Sequence, residues 1–306
     1  MSIKITFLGT AGAIPTPQRN LPAVAMQRGN ELFLFDCGEA VQRQMTLAKT
    51  PFHKPMRIFI THMHGDHVLG LPGLLQTMAL MDRQKTVQVY GPVGIVEFLR
   101  CLQESLQFAL TYRLEVYEVA DAGVVCEEAE YRVLAVKSNH VVTSFSYAFV
   151  EKPRAGKFIP EKAHVLGVPL GAAWGKLQHG ETLTLPDGTV VKPEDVSGPI
   201  RKGRKVVYTG DTRPFPEFAK FAAGADLVIH ECTFDDALVD KAVVDGHSVP
   251  SQAAQDAKDA NVKDLVLTHI SARYTDAALL VEQAKKVFAN VRVAEDFLKI
   301  DLPLGE

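Results

Sequence analysis

The segment Thr61-His62-Met63-His64-Gly65-Asp66-His67 places three histidines and an aspartate within six positions, directly after the apolar run Met56–Ile60. An apolar run of that length reads as a buried strand. The polar cluster therefore sits at a strand end, where a tight turn eased by Gly65 can aim all four side chains toward one point. Neutral imidazoles and carboxylates are the groups that bind zinc at neutral pH.

Three further residues occupy equivalent places. His140 follows the apolar run Tyr131–Val136, Asp211 follows Lys205–Thr209, and His269 follows Leu265–Thr268. In α/β sheets, side chains just past the carboxyl ends of neighbouring strands converge on a shared crevice. Taken singly, His140 or His269 reads as a histidine that satisfies local hydrogen bonds. As a set, His62, His64, Asp66, His67, His140, Asp211 and His269 read as metal ligands. Seven protein groups are too many for one hydrolytic zinc, which takes three and a water, so the set points to two ions. Asp211 is the expected bridging carboxylate, between ions roughly 3.5–4 Å apart. His53, His164 and His179 lack the strand-end setting and are not expected to be ligands.

The rest of the chain reads as alternating strands and helices. It opens on a strand over Ile3–Leu8, a Gly/Pro/Thr-rich loop over Gly9–Asn20, and a hairpin from Ala23 to Asp36 turning at Gly29-Asn30. Helical patterns cover Glu39–Ala48, Val68–Met81, Val93–Leu102, Pro216–Ala223, Val249–Asp259 and Ala277–Phe288, with further strands at Leu114–Val119, Ser146–Val150 and Leu227–His230 and one that starts at Val87–Val89 and ends at Gly91-Pro92. Strand, polar turn and helix recur in both halves, as two stacked αβ halves of one α/β domain spanning residues 1–306 would require. Periodicity fails over residues 152–205, which are rich in Gly, Pro and Lys; this segment is expected to be an irregular, flexible arm inserted in the domain.

Hydrophobic residues make up 47% and charged residues 23%, enough apolar surface for a full core. A net charge of −3 excludes a protein that coats nucleic acid over its whole surface. The charge is uneven. Residues 151–205 carry ten Lys or Arg against six Asp or Glu, a local +4 that leaves −7 elsewhere. The four cysteines are scattered, no run reaches membrane-spanning length, and the opening residues lack a signal-peptide pattern, so a reducing cytoplasm is expected.

The string THMHGDH resembles the HxHxDH signature of the metallo-β-lactamase superfamily, and His140, Asp211 and His269 match its later ligand positions. The resemblance implies an αββα sandwich, here with a protruding flexible arm. It also implies that Asp36 orients the metal loop without binding metal. Within the superfamily the chain is similar over its full length to ribonuclease Z (tRNase Z) of the short form. The similarity is carried by Phe7-Leu8-Gly9-Thr10-Ala11-Gly12, Gly70-Leu71-Pro72-Gly73-Leu74-Leu75, Thr209-Gly210-Asp211-Thr212-Arg213 and His230-Glu231-Cys232-Thr233-Phe234.

Leu166–Leu177 resembles the arm through which that family grips tRNA, with Gly171-Ala172 where the family has Gly-Pro. Pro15–Asn20 resembles its Arg-Asn loop, with a proline in place of the usual lysine.

The resemblance implies a zinc-dependent endoribonuclease, with two Zn2+ per subunit, that removes the 3′ trailer from precursor tRNA and leaves a 3′ hydroxyl and a 5′ phosphate. Asp66 would be both ligand and proton acceptor for the attacking water, and His247 the general acid; His247 alone also reads as a cap for the helix near Val249. Arg19, Lys176, Arg201, Lys202, Arg204 and Lys205 are the expected RNA contacts, and the arm implies a homodimer. The metal site by itself fits other two-zinc hydrolases of the same fold, of arylsulfatase, thioesterase or lactonase type, but those have no need of a long basic insertion. An RNA-binding protein with structural zinc would close its site with four ligands, often cysteines.

Overall fold

The computed structural model of the protein describes residues 2–304. These form two compact units, one of residues 2–150 and 205–304 and one of residues 151–204.

The larger unit is built on two seven-stranded sheets. Its first sheet runs, in spatial order, through Lys299–Leu302, Ile3–Gly9, Ala23–Arg28, Glu31–Phe35, Met56–Phe59, Val87–Pro92 and Leu114–Val119. The second runs through Val291–Val293, Asp264–Thr268, Leu227–Glu231, Lys205–Tyr208, Phe145–Glu151, Tyr131–Lys137 and Gly123–Glu127. Aromatic side chains that point inward from both sheets, including Phe7, Phe33, Phe59, Tyr131, Phe149 and Tyr208, form the central core. The outer face of the first sheet is covered by the helices Val41–Ala48, Gly70–Leu80 and Ile95–Leu106. The outer face of the second is covered by Phe218–Ala222, Pro250–Asp259 and Ala278–Lys285. Two sheets between two helical layers make the expected αββα sandwich.

Four strands of each sheet are mutually parallel, from Glu31–Phe35 to Leu114–Val119 in the first and from Lys205–Tyr208 to Val291–Val293 in the second. Parallel strands buried on both faces read as apolar runs, which is why the runs before His62, Asp211 and His269 lack alternation, whereas Tyr131–Lys137, before His140, is not one of them and alternates. The carboxyl ends of the parallel strands carry the polar residues. Asp36 and His269 adopt left-handed backbone there, with φ of 56° and 58°. For non-glycine residues that geometry costs on the order of 1–2 kcal/mol and persists only where the surroundings impose it.

The smaller unit departs from the expected irregular arm. It holds the helices Pro160–Val165 and Ala172–Gln178, the strand pair Leu183–Thr184 with Val190–Val191, and a 3-10 turn at Pro193–Val196. Ala163, Val168, Leu177, Val191 and Val196 form its own small core, with Phe158 and Trp174 packed against it. Its chain ends run antiparallel, with Arg154 opposite Arg201 and Phe158 opposite Ser197.

Arg204, expected among the RNA contacts, is instead buried against Glu151, donating from Nε to Oε2 at 2.8 Å and from Nη2 to Oε1 at 2.7 Å. A guanidinium committed to a buried bidentate pair cannot also reach a phosphate, so Arg204 is corrected to a structural residue.

Candidate metal centre

All seven expected ligands come together just past strand ends of the two sheets, His140 after Tyr131–Lys137 and the others after parallel strands. His62, His64, His140 and Asp211 offer ligand atoms within 4.8 Å of one another, and Asp66, His67 and His269 form a second group by the same measure. Asp211 lies between them. Its Oδ1 is 3.4 Å from His67 Nε2 and 3.3 Å from His269 Nε2, while its Oδ2 is 3.7 Å from His62 Nε2.

For four of the five histidines the chain itself decides which ring nitrogen is presented, while His64 turns its Nδ1 toward His62 and His140. Thr61 Oγ1 donates to Asp36 and so accepts from His62 Nδ1 at 2.9 Å. Thr233 Oγ1 donates to Glu231 Oε2 and accepts from His269 Nδ1 at 2.8 Å. His67 Nδ1 donates to Asp36 Oδ2 at 2.7 Å, and His140 Nδ1 to the Gly246 carbonyl at 2.8 Å. In each neutral imidazole the remaining nitrogen, Nε2, is then a bare lone pair facing inward. Ligating histidines are oriented in this way by a second acceptor.

Asp36 holds three partners at once, Thr61, His67 and the Tyr208 hydroxyl at 2.9 Å, and is itself fully buried. It so braces both ends of the Thr61–His67 loop from behind.

Electrostatics fit a cation. Burial opposes the charges of Asp66 and Asp211, yet contacts with His269 and His67 outweigh burial and hold both carboxyls far below their usual range. Burial also opposes a charge on His67, but Asp211 and Asp36 override it and raise that imidazole. The same pocket lowers His62, by burial and by the neighbouring His67. Ionised carboxylates facing imidazole Nε2 atoms, with Asp211 Oδ1 buried and without a hydrogen-bond partner, are a donor set that fits divalent metal.

His247 stands beside this cluster, with its ring centroid 5.4 Å from His140 and 5.3 Å from His269. It is not a helix cap: the N-cap of Pro250–Asp259 is Val249. Its Nδ1 donates to Glu231 Oε1 at 2.9 Å. Burial opposes its charge, but the Glu231 carboxylate prevails and the pKa is pushed up to about 9.

Glu231 had no assigned role in the sequence reading. It is 1% exposed and also accepts from Thr212 N and from Thr233 N and Oγ1. A carboxylate closing the buried strand Leu227–Glu231 was the available signal.

The loop after the first strand reaches the site as well. Ala11–Gly12 pairs in parallel with Ile270–Ser271, and Ala13 N donates to Asp66 Oδ2 at 3.1 Å. A side chain at Gly12 would meet His269 Nδ1 at 2.7 Å, so only glycine allows this approach.

Of the expected RNA contacts, Lys176 and Lys202 are exposed and Arg201 is half-buried. Arg19 is half-buried and donates from Nη1 to Thr10 Oγ1 and to the Ala294 carbonyl, holding its own loop. Lys205 Nζ donates to the Ala223 carbonyl, and burial lowers its pKa. His164 packs edge-on against Trp174, and His179 donates to the Gly175 carbonyl.

An αββα sandwich with histidines and aspartates gathered at its strand ends defines a metal-binding hydrolase of the β-lactamase superfamily. Residues 165–270 match the model of the Beta-lactamase superfamily domain, and residues 3–155 match that of Anti-Pycsar protein Apyc1. The chain is 46% identical to Ribonuclease Z of Archaeoglobus fulgidus, with 100% of both chains covered. It is 44% identical to Ribonuclease Z of Methanothermobacter thermautotrophicus over 98% of this chain and 97% of that one. Its structure resembles the human short-form tRNase Z with a TM-score of 0.74 at 31% identity, covering 98% of this chain and 99% of that one. The chain belongs to the ribonuclease Z family.

Proposed function

We propose that this protein is a zinc-dependent endoribonuclease that removes the 3′ trailer from precursor tRNA, using two Zn2+ ions held by His62, His64, His140 and Asp211 and by Asp66, His67, His269 and Asp211. The observation that carries this reading is the convergence of all seven ligands in a chain whose full length matches Ribonuclease Z. When bound, the ions supply Lewis-acid polarisation of the phosphoryl oxygens and activation of water.

The chain's own residues do the rest. Asp66, anchored by Ala13 N–H, orients the attacking water and accepts its proton. As the water oxygen bonds to phosphorus and the bond to the 3′ oxygen breaks, His247, held through Nδ1 by Glu231, donates its Nε2 proton to that departing oxygen. The tRNA keeps a 3′ hydroxyl and the trailer a 5′ phosphate. Lys176, Arg201 and Lys202 meet backbone phosphates, which lets an acidic body handle RNA. A homodimer and a cytoplasmic setting complete the reading. The first follows from the resemblance of the arm, and the second agrees with four free cysteines. Among the described residues no helix is long and apolar enough to cross a membrane.

The test is to incubate zinc-loaded protein with a 3′-extended precursor tRNA and map the cut. Cleavage just after the discriminator nucleotide is expected, and it should be abolished in Asp66→Ala with circular dichroism unchanged. Full activity in that variant, or no cleavage by the wild type, would refute the reading.

A further inference from the structure

The short helix Val239–Asp245 runs directly into Gly246 and His247, the general acid of the proposed reaction. The last carbonyls of a helix have no partner within it. Here Ala242 O accepts from Gly246 N at 2.9 Å and from His247 N at 2.8 Å. Gly246 O accepts from His140 Nδ1 at 2.8 Å, an approach so close that a side chain at Gly246 would meet that ring nitrogen at 2.7 Å. The carbonyls of Val243 and Val244 both accept from one side chain, that of Arg213, through Nε and through Nη2 at 3.2 Å.

Arg213 stands two positions after Asp211 and directly opposite Asn139, the neighbour of His140. Its backbone N donates to Asn139 O at 2.8 Å, Asn139 N donates to Thr212 Oγ1 at 3.1 Å, and Arg213 Nη1 reaches Asn139 Oδ1 at 3.4 Å. The root of the side chain is thus fixed to the segments that carry Asp211 and His140, while its fork holds the helix end that carries His247. Beyond His247 the chain returns to the same place, with Ser248 Oγ donating to Thr212 O at 2.6 Å.

A guanidinium suits this position, because its rigid fork serves two adjacent carbonyls and its charge meets the negative end of the helix dipole. All three of its nitrogens donate within the chain, so the group acts on the protein and not on substrate. Val243 and Val244 lie at the surface, where water replaces a lost donor but does not fix the helix end in place.

We infer that Arg213 is a positioning residue for the general acid: by clipping the end of Val239–Asp245 to the strand-end segments, it sets where His247 stands relative to the departing 3′ oxygen. This rests on the tRNA reading above. Proton transfer needs the imidazole within hydrogen-bond reach, so displacing it slows the chemical step and leaves substrate affinity alone.

The test measures kcat and KM of the zinc-loaded, full-length protein on 3′-extended precursor tRNA for wild type, Arg213→Met, Arg213→Lys, His247→Ala and the double variant Arg213→Met with His247→Ala. Arg213→Met is expected to lower kcat about tenfold with KM within about twofold of wild type. In the His247→Ala background the same change should alter kcat by less than about twofold, since nothing is left to position. Arg213→Lys, which reaches one carbonyl, should recover part of the rate. Amide hydrogen exchange should quicken over residues 239–247 in Arg213→Met. A loss that persists in full without His247 would mark a general structural role and overturn the inference. Wild-type kcat in Arg213→Met, or unchanged exchange over 239–247, would overturn it as well, and a raised KM at unchanged kcat would make Arg213 an RNA contact instead. A wild type that cleaves no precursor tRNA would overturn the substrate reading and the inference with it.

Discussion

Glu231 shows how much one buried carboxylate can set. Its Oε1 takes the His247 Nδ1 proton, and its Oε2 takes the Thr233 hydroxyl, which in turn fixes the tautomer of His269. Two imidazoles of the site are therefore oriented through a single side chain. Glu231→Gln keeps the volume but puts an amide where at least one donor now points. Its kcat on precursor tRNA is expected to fall about 10²–10³-fold, with tRNA affinity unchanged; a rate within about twofold of wild type would remove Glu231 from the machinery.

A second buried group makes a pH prediction. His230 is fully buried, donates from Nδ1 to the Glu231 carbonyl, and lies with Nε2 3.4 Å from Asp256 Oδ2, an ion-pair distance without hydrogen-bond alignment. Burial opposes its charge, but Asp256 outweighs burial and raises the pKa above its ordinary 6.5. The charged pair therefore stabilises the fold fully below that ordinary value and loses its contribution as pH rises through the raised one. Urea unfolding should show the stability difference between wild type and His230→Gln shrinking as pH rises. A difference that grows with pH would contradict the pairing.

At this scale the convergence of the seven histidines and aspartates was legible because each lies just past an apolar strand. Glu231 follows the strand read at Leu227–His230 in the same way, but it drew no role because its partners, His247 and Thr233, are joined to it only by the fold.

At the scale of elements, the 151–204 unit replaces an expected irregular arm with short pieces folded on their own core. Its helices span six and seven residues and its paired strands two each, too short for a hydrophobic period to declare itself. The strand Gly123–Glu127 escaped notice for a related reason: it is a sheet edge with a single buried position. Long parallel strands and the helices that cover them were readable to within a few residues, because full burial demands unbroken apolar runs. Their order in the sheets was not, since the pairing of Lys299–Leu302 with Ile3–Gly9 joins opposite ends of the chain.

Arg204 belongs to this scale too. Its cluster looked like a phosphate site by composition, whereas its guanidinium ties the two ends of the unit together through Glu151. Arg204→Ala would strand the Glu151 charge and is expected to destabilise the unit by about 3–5 kcal/mol, whereas Glu151→Leu with Arg204→Met should recover most of that loss. Limited proteolysis mapped to residues 151–204 reads the difference. Equal cleavage of wild type and Arg204→Ala would show that the pair does not hold the unit.

At the scale of the whole molecule, the αββα sandwich acts as a device for bringing strand ends together. Histidines and aspartates that lie up to 207 positions apart, from His62 to His269, meet within a few ångströms because strands of two sheets end at one edge. Asp211, with one oxygen toward each group of ligands, is the hinge of that arrangement.

Elemental analysis of folded protein is the most direct check. Wild type is expected to hold two equivalents of zinc per chain, and Asp211→Asn markedly less with circular dichroism unchanged. Folded wild-type protein that takes up no transition metal, or an Asp211→Asn variant with undiminished content, would contradict the account.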